Sequence, residues 1–197
     1  MEETVATGCV VKLDRGFPLV RLEDGRELRC KHATSLVKGE RVRAVIGDRV
    51  RVSFAERNDK ALIVEVLPRS RELVRKDPTE RAVPQVLAAN FDRVIVTQPS
   101  TEVNMRRLER ELVLAHETGA AVSVVLTKAD LAESEDEVAR VRERVLALVG
   151  ADVETLVVSE ATPESVEAVR ALVPEGTTAV LIGRSGVGKS SLVNLLV

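Results

Sequence analysis

Aromatic side chains are almost missing from this chain, which has no Trp, no Tyr and only Phe17, Phe54 and Phe91. The usual rings for stacking on nucleic acid are thus nearly absent, and any such contact is expected to be made mainly to phosphates, through Arg and Lys. Cysteine is as scarce. Cys9 and Cys30 form no C-x-x-C pair and have no neighbouring ligand cluster. That excludes a disulfide framework and fits two small thiols in a reducing compartment. His32 and His116 stand alone and suggest no role. No apolar run approaches the ~18–20 residues needed to cross a bilayer, and the acidic start Met1-Glu2-Glu3 is unlike a signal peptide. The expected setting is cytoplasmic, without a membrane partner.

What is present is ordinary globular material. The 197 residues, 45% hydrophobic and 30% charged, suffice for one large or two small domains. The net charge of −2 hides an asymmetry: residues 1–76 carry 17 Lys/Arg against 12 Asp/Glu, and residues 77–197 carry 12 against 19. A basic first part beside an acidic second part suggests separate partners, although scattered Arg on a small β domain is equally a solvated face.

The most informative stretch lies near the end. Thr177 to Ile182 is β-branched and apolar and reads as a buried strand. Gly183-Arg184-Ser185-Gly186-Val187-Gly188-Lys189-Ser190 then fits G-x-x-x-x-G-K-S, and an apolar-periodic helix opens behind it from Ser191. The glycines permit backbone angles and close approach that a Cβ forbids. The N–H groups so freed converge on phosphates at a helix N-terminus, where the helix dipole favours negative charge. Lys189 is placed to reach the β- and γ-phosphates, and the Ser190 hydroxyl to ligate Mg²⁺. A glycine-rich turn that binds nothing is the bland alternative, and strand, spacing, Lys-Ser and helix in register argue against it.

In chain order, residues 4–67 read as short strands and turns. Strands are expected at Val5–Leu13, Phe17–Leu22, Arg26–Cys30, Arg49–Phe54 and Ala61–Leu67, with a turn at Asp14-Arg15-Gly16 and a hairpin signal at Asp24-Gly25. Five strands without a convincing helix suit an OB-fold barrel over residues 1–68. Residues 69–85 are charged, contain Pro78 and Pro84, and read as a linker. From 86 to 197 strands and helices alternate, which implies a parallel α/β sheet with ligand loops at the strand C-terminal ends. Strands are expected at Phe91–Thr97, Val122–Thr127 and Val153–Val158. Helices are expected at Met105–Glu117, Ser134–Val149 and Pro163–Leu172, the second opened by a Ser134/Glu137 capping box.

Two loops of this second part matter. Thr127-Lys128-Ala129-Asp130 follows an apolar strand. Alone it is a surface turn; in a phosphate-loop domain it becomes specific. The Asp130 carboxylate can accept the N1–H and exocyclic amino hydrogens of guanine, which adenine does not offer, and the Lys128 stem can pack along the base. After the next strand, the Ser159 backbone N–H can meet the guanine carbonyl oxygen, though a serine in that place is commonplace. These loops precede the phosphate loop, whereas in an ordinary GTPase they follow it. The order reads as a circularly permuted GTPase.

A basic barrel followed by such a domain resembles the ribosome small-subunit-dependent GTPase A family (RsgA, also called YjeQ). The residues that carry the likeness are Val45-Ile46-Gly47-Asp48-Arg49-Val50, Gln85-Val86-Leu87-Ala88-Ala89-Asn90-Phe91-Asp92, Thr127-Lys128-Ala129-Asp130 and the segment from Gly183 to Leu192. The resemblance implies a monomeric cytoplasmic factor acting late in 30S subunit maturation. It implies contact with 16S rRNA, binding of GTP or GDP with Mg²⁺, and hydrolysis of GTP on the subunit. Thr127 stands where the family usually has Asn; the hydroxyl is kept and the amide lost, which predicts weaker guanine affinity. Glu160 stands where Ala is usual. Against the family pattern the chain is expected to be cut short after the phosphate loop. The switch segments, the D-x-x-G loop and the ligands of a zinc module do not occur in it, so no catalytic residue is assigned and efficient hydrolysis is not expected. Two other readings stay open: an ATP-using phosphate-loop protein, and a non-catalytic RNA-binding fragment.

Overall fold

The structure, a computed structural model, describes residues 4–14, 17–39, 42–54, 61–75, 85–159 and 161–196. The expected turn residues Arg15 and Gly16, the prolines Pro78 and Pro84, and Glu160 lie outside the described residues. Two compact units divide the chain, Met1–Asn90 and Phe91–Val197.

In the first unit, β1 (Thr4–Asp14), β2 (Phe17–Leu22), β3 (Glu27–His32), β4 (Arg49–Phe54) and β5 (Ala61–Val66) close into a barrel in the order β1-β2-β3-β5-β4. The pairing of β3 with β5 is parallel and the others are antiparallel, as an OB-fold requires. The alternation read in β4 is realised directly: Val50 and Val52 enter the core while Arg49 and Arg51 face out. The core is filled by Val10, Val20, Leu22, Cys30, Val50, Val52, Phe54 and Ile63. Gly8 is required by packing, since a Cβ there would stand 2.6 Å from Val20 Cγ1 and 2.7 Å from the Arg21 carbonyl oxygen. The Asp24-Gly25 hairpin forms as expected: Gly25 takes a φ of +86° and Asp24 Oδ1 accepts from the Arg26 N–H at 3.0 Å.

Two features depart from the expectation. A helical turn at Ser35–Gly39 follows β3 and drives Leu36 into the core, where a single buried leucine carries no readable period. The segment expected as a linker contains strand β6 (Glu72–Arg75), paired antiparallel with β7 (Gln85–Ala89), so the unit boundary falls after Asn90 and not at 85/86. Polar contacts fix this hairpin to the barrel. Arg69 sends Nε to Asp48 Oδ1 at 2.7 Å and Nη2 to Asp48 Oδ2 at 2.8 Å, and Asp48 Oδ2 also accepts from the Val45 N–H. Asn90, in the left-handed region at a φ of 55°, donates to the Gly47 carbonyl and accepts from the Ser70 N–H. Ala89 donates to Ile46, and a Cβ on Gly47 would collide with the Ala89 carbonyl oxygen. The segments Val45–Val50 and Gln85–Asn90 are thus two halves of one clasp.

In the second unit, β8 (Arg93–Pro99), β9 (Ala121–Thr127), β10 (Glu154–Val157) and β11 (Ala179–Ile182) form a fully parallel sheet in the order β10-β9-β8-β11. Helices α1 (Met105–Glu117), α2 (Glu135–Val149), α3 (Pro163–Leu172) and α4 (Lys189–Leu196) connect and cover it. Helix α1 buries Leu108, Leu112 and Ala115 against β8 and β9. A second cluster joins Ile95 and Val125 of the sheet to Val166, Val169 and Leu172 of α3 and Leu192 of α4. Ser134 caps α2 through the Glu137 N–H, and Glu137 reaches back to the N–H of Glu133, one residue before the expected capping-box partner. Sheet polarity gathers the carboxyl ends of β8, β9, β10 and β11 on one rim, and the candidate site is there.

Candidate nucleotide-binding site

Strand β11 delivers the chain to Gly183, whose φ of +143° and contact with the Thr97 backbone leave no room for a side chain. Gly186 and Gly188 also take positive φ, at 82° and 94°. The loop turns tightly and hands over to α4 at Lys189, so its backbone donors and the helix N-terminus share one cradle. Lys189 folds back over it, Nζ donating to the carbonyls of Gly183 at 2.8 Å and Arg184 at 2.7 Å. Val187 anchors the loop in the core at 5% exposure, and Ser190 is exposed at the head of α4.

The tetrapeptide after β9 lies against this loop. Thr127 Oγ1 donates to the Val187 carbonyl at 2.5 Å, with the Gln98 carbonyl further off at 3.3 Å. Lys128 takes a left-handed φ of 62° and places Nζ 2.6 Å from the Gly186 carbonyl. Both interactions cross about sixty residues of sequence. Asp130 sits exposed in a short 3₁₀ turn, Ala129–Leu131, whose Ala129 N–H is tied to Val158 at the end of β10. Ser159 follows Val158, and its N–H donates to Ser165 Oγ at 3.2 Å while its own Oγ accepts from Ala161. The three expected loops thus share one rim; Lys128 and Lys189 hold loop carbonyls, and the Ser159 N–H is engaged locally.

Beside the phosphate loop opens a cleft of about 350 Å³, walled by Gln98, Pro99 and the head of α1 on one side and by Lys128 and Arg184–Val187 on the other. The sequence suggests no role for Gln98 or for its partner Glu111. Gln98, 2% exposed, donates through Nε2 to Glu111 Oε2 at 2.5 Å, and Glu111 pairs with Arg107 at 3.3 Å. Burial pushes the Glu111 carboxyl up, and the charges of Arg107 and Lys189 draw it back. The Thr97 and Ser100 hydroxyls, also buried, have no hydrogen-bond partner among the described residues.

The cradle fits a nucleotide phosphate group: it is closed to side chains at Gly183, carries positive φ at three glycines, and holds a lysine whose bonds to carbonyls are exchangeable. Ser190 is a hard oxygen donor suited to Mg²⁺, an ion that keeps most of its coordination for water and phosphate oxygens. No group of three or more His, Cys, Asp or Glu converges as a metal cluster among the described residues.

A parallel sheet with strand, phosphate loop and helix at its edge, and a T-K-x-D turn preceding it in sequence, defines a phosphate-loop nucleotide-binding domain in permuted order. The family model described as RsgA GTPase matches residues 66–197, and the chain belongs to that family. A "Small ribosomal subunit biogenesis GTPase RsgA" of Streptomyces coelicolor is 38% identical over 203 residues, covering 98% of this chain and 52% of the relative. One of Xanthomonas campestris pv. campestris is 40% identical over 155 residues, covering 78% and 40%. The crystal structure of YjeQ from Thermotoga maritima superposes with a TM-score of 0.73 at 26% identity, covering 98% of this chain and 65% of that one. The chain thus spans about half or less of the length of these curated relatives.

Proposed function

We propose that this chain binds GDP and GTP at the rim of its parallel sheet and serves as a GTPase in biogenesis of the small ribosomal subunit. The observation that carries the reading is the pair of hydrogen bonds from Thr127 and Lys128 to Val187 and Gly186, which seat the Thr127–Asp130 turn against the loop that opens at Gly183. On binding, Lys189 exchanges its two carbonyl partners for phosphate oxygens, a gain because a charge-assisted bond to an anion is stronger than one to a neutral carbonyl. The loop N–H groups, aligned with the α4 dipole, hold the β-phosphate. Asp130 accepts the two guanine donors and Lys128 lies along the base. Ser159 contributes its N–H to the guanine carbonyl once its bond to Ser165 is exchanged. Ser190 is the residue that would hold Mg²⁺, and the ion would supply neutralisation of phosphate charge.

The barrel supplies the contact to 16S rRNA in this reading. Arg21, Arg29 and Arg51 face solvent in ion pairs that are more than half exposed on the arginine side, so phosphates can compete for them. Lys31 lies 5.7 Å from the ring centroid of Phe17, itself 38% exposed, and the pair offers one stacking face beside a charge. Backbone-directed contact of this kind predicts affinity that falls steeply with salt.

The test is a competition titration of fluorescent GDP against GTP, GDP and ATP with Mg²⁺, on this chain and on Lys189→Ala. Displacement by guanine nucleotides alone, with binding weakened roughly 10- to 150-fold in the variant, supports the reading. Equal displacement by ATP points to a general phosphate-loop protein. Absence of nucleotide binding beside salt-dependent RNA binding points to a non-catalytic RNA-binding chain.

A further inference from the structure

We propose that Gln98 and Glu111 are positioning residues for the phosphate loop, acting on it through Thr127. The inference rests on the reading of that loop as a nucleotide site. A hydroxyl has one proton to donate. Thr127 Oγ1 shares it unequally between two acceptors, the Val187 carbonyl at 2.5 Å and the Gln98 carbonyl at 3.3 Å, so the Gln98 end bears on the hydroxyl that holds the loop. The Ser100 N–H completes the joint by donating to the Thr127 carbonyl at 2.7 Å. Gln98 is therefore a junction: its backbone meets Thr127 and its side chain is fixed by Glu111 at 2.5 Å. The amide of a residue 2% exposed needs an acceptor, because a buried unpaired donor is costly. Glu111 provides one and is itself steadied by Arg107 one turn earlier on α1. A continuous line of polar contacts, Glu111 to Gln98 to Thr127 to Val187, thus links the buried side of α1 to the turn of the phosphate loop.

The role is separable from packing by amide hydrogen exchange at Val187 and Leu192, whose N–H groups are bonded to the Arg184 and Gly188 carbonyls, in the nucleotide-free chain well below the unfolding midpoint. Gln98→Met and Glu111→Leu should speed exchange there by about 2- to 12-fold, the range one net hydrogen bond supports. Glu111→Gln keeps an acceptor for the Gln98 amide and should exchange at the unsubstituted rate. Gln98→Met combined with Thr127→Val should be no faster than Thr127→Val alone, since both act on one contact. Unchanged exchange in Gln98→Met and Glu111→Leu overturns the proposal, as does equal acceleration by Glu111→Gln. Fluorescent GDP binding is read on the same proteins. If the unsubstituted chain binds no nucleotide while the exchange pattern holds, the nucleotide reading fails and the link to the loop stands.

Discussion

Two regions of this molecule use charged side chains against backbone turns, and they use them in opposite ways. At the barrel clasp the charges are matched: Asp48, fully buried, meets Arg69 through two hydrogen bonds, and Glu72 adds a third contact. At the phosphate loop the charges are set against dipoles: Lys189 and Lys128 hold the carbonyls of Gly183, Arg184 and Gly186. A cation paired with a buried anion is spent on the fold, because separating the two strands a charge in a poor solvent for it. A cation resting on neutral carbonyls gives them up readily when an anion arrives. The contrast separates a structural polar cluster from a binding one without reference to any ligand.

The comparison can be broken at either end. Arg69→Met leaves Asp48 buried and unpaired, and should cost about 3–5 kcal/mol in denaturant unfolding of the first unit while leaving nucleotide affinity unchanged. Lys189→Ala should do the reverse, weakening fluorescent GDP binding by roughly 10- to 150-fold, the equivalent of one charged hydrogen bond, with little change in unfolding. A finer test uses pH. His32 Nε2 accepts from the Ala44 N–H at 2.9 Å, which requires a neutral ring, and burial, helped by the charge of Arg43, lowers its pKa. A folded pKa below the unfolded one means that unfolding takes up a proton. Stability of the first unit should therefore fall as pH drops below about 6.5, the ordinary histidine value, and His32→Gln should flatten that slope. The smallest effect belongs to Arg21→Ala: its pair with Glu27 is 59% and 39% exposed, and its loss should move stability by about 0–1 kcal/mol.

How much was legible in the sequence follows from the range of the interactions. The Asp24-Gly25 hairpin, the alternating strand β4, the capped helices and the phosphate loop rest on contacts within a few residues, and each appears where local pattern placed it. The clasp was invisible because Asp48 and Arg69 lie 21 residues apart in stretches without period, so β6 passed for linker and β7 for the start of the second domain. His32 was given no role for the same reason, its partner Ala44 being twelve residues on. At the candidate site the residue types were readable and their wiring was not. Thr127, read as a weakened base contact, proves to be the hydroxyl that braces the loop at Val187. Gln98 and Glu111, in a strand end and on a helix face, gave no motif at all.

Recognition of guanine by Asp130 is open to one direct binding measurement. Guanine offers an amino group where xanthine offers a carbonyl, so a carboxylate should select the first and an amide the second. Fluorescent guanosine and xanthosine diphosphates would be titrated into this chain and into Asp130→Asn. The unsubstituted chain should bind the guanine nucleotide, and the variant should switch its preference to xanthine. Indifference of both proteins to the base would contradict recognition by Asp130.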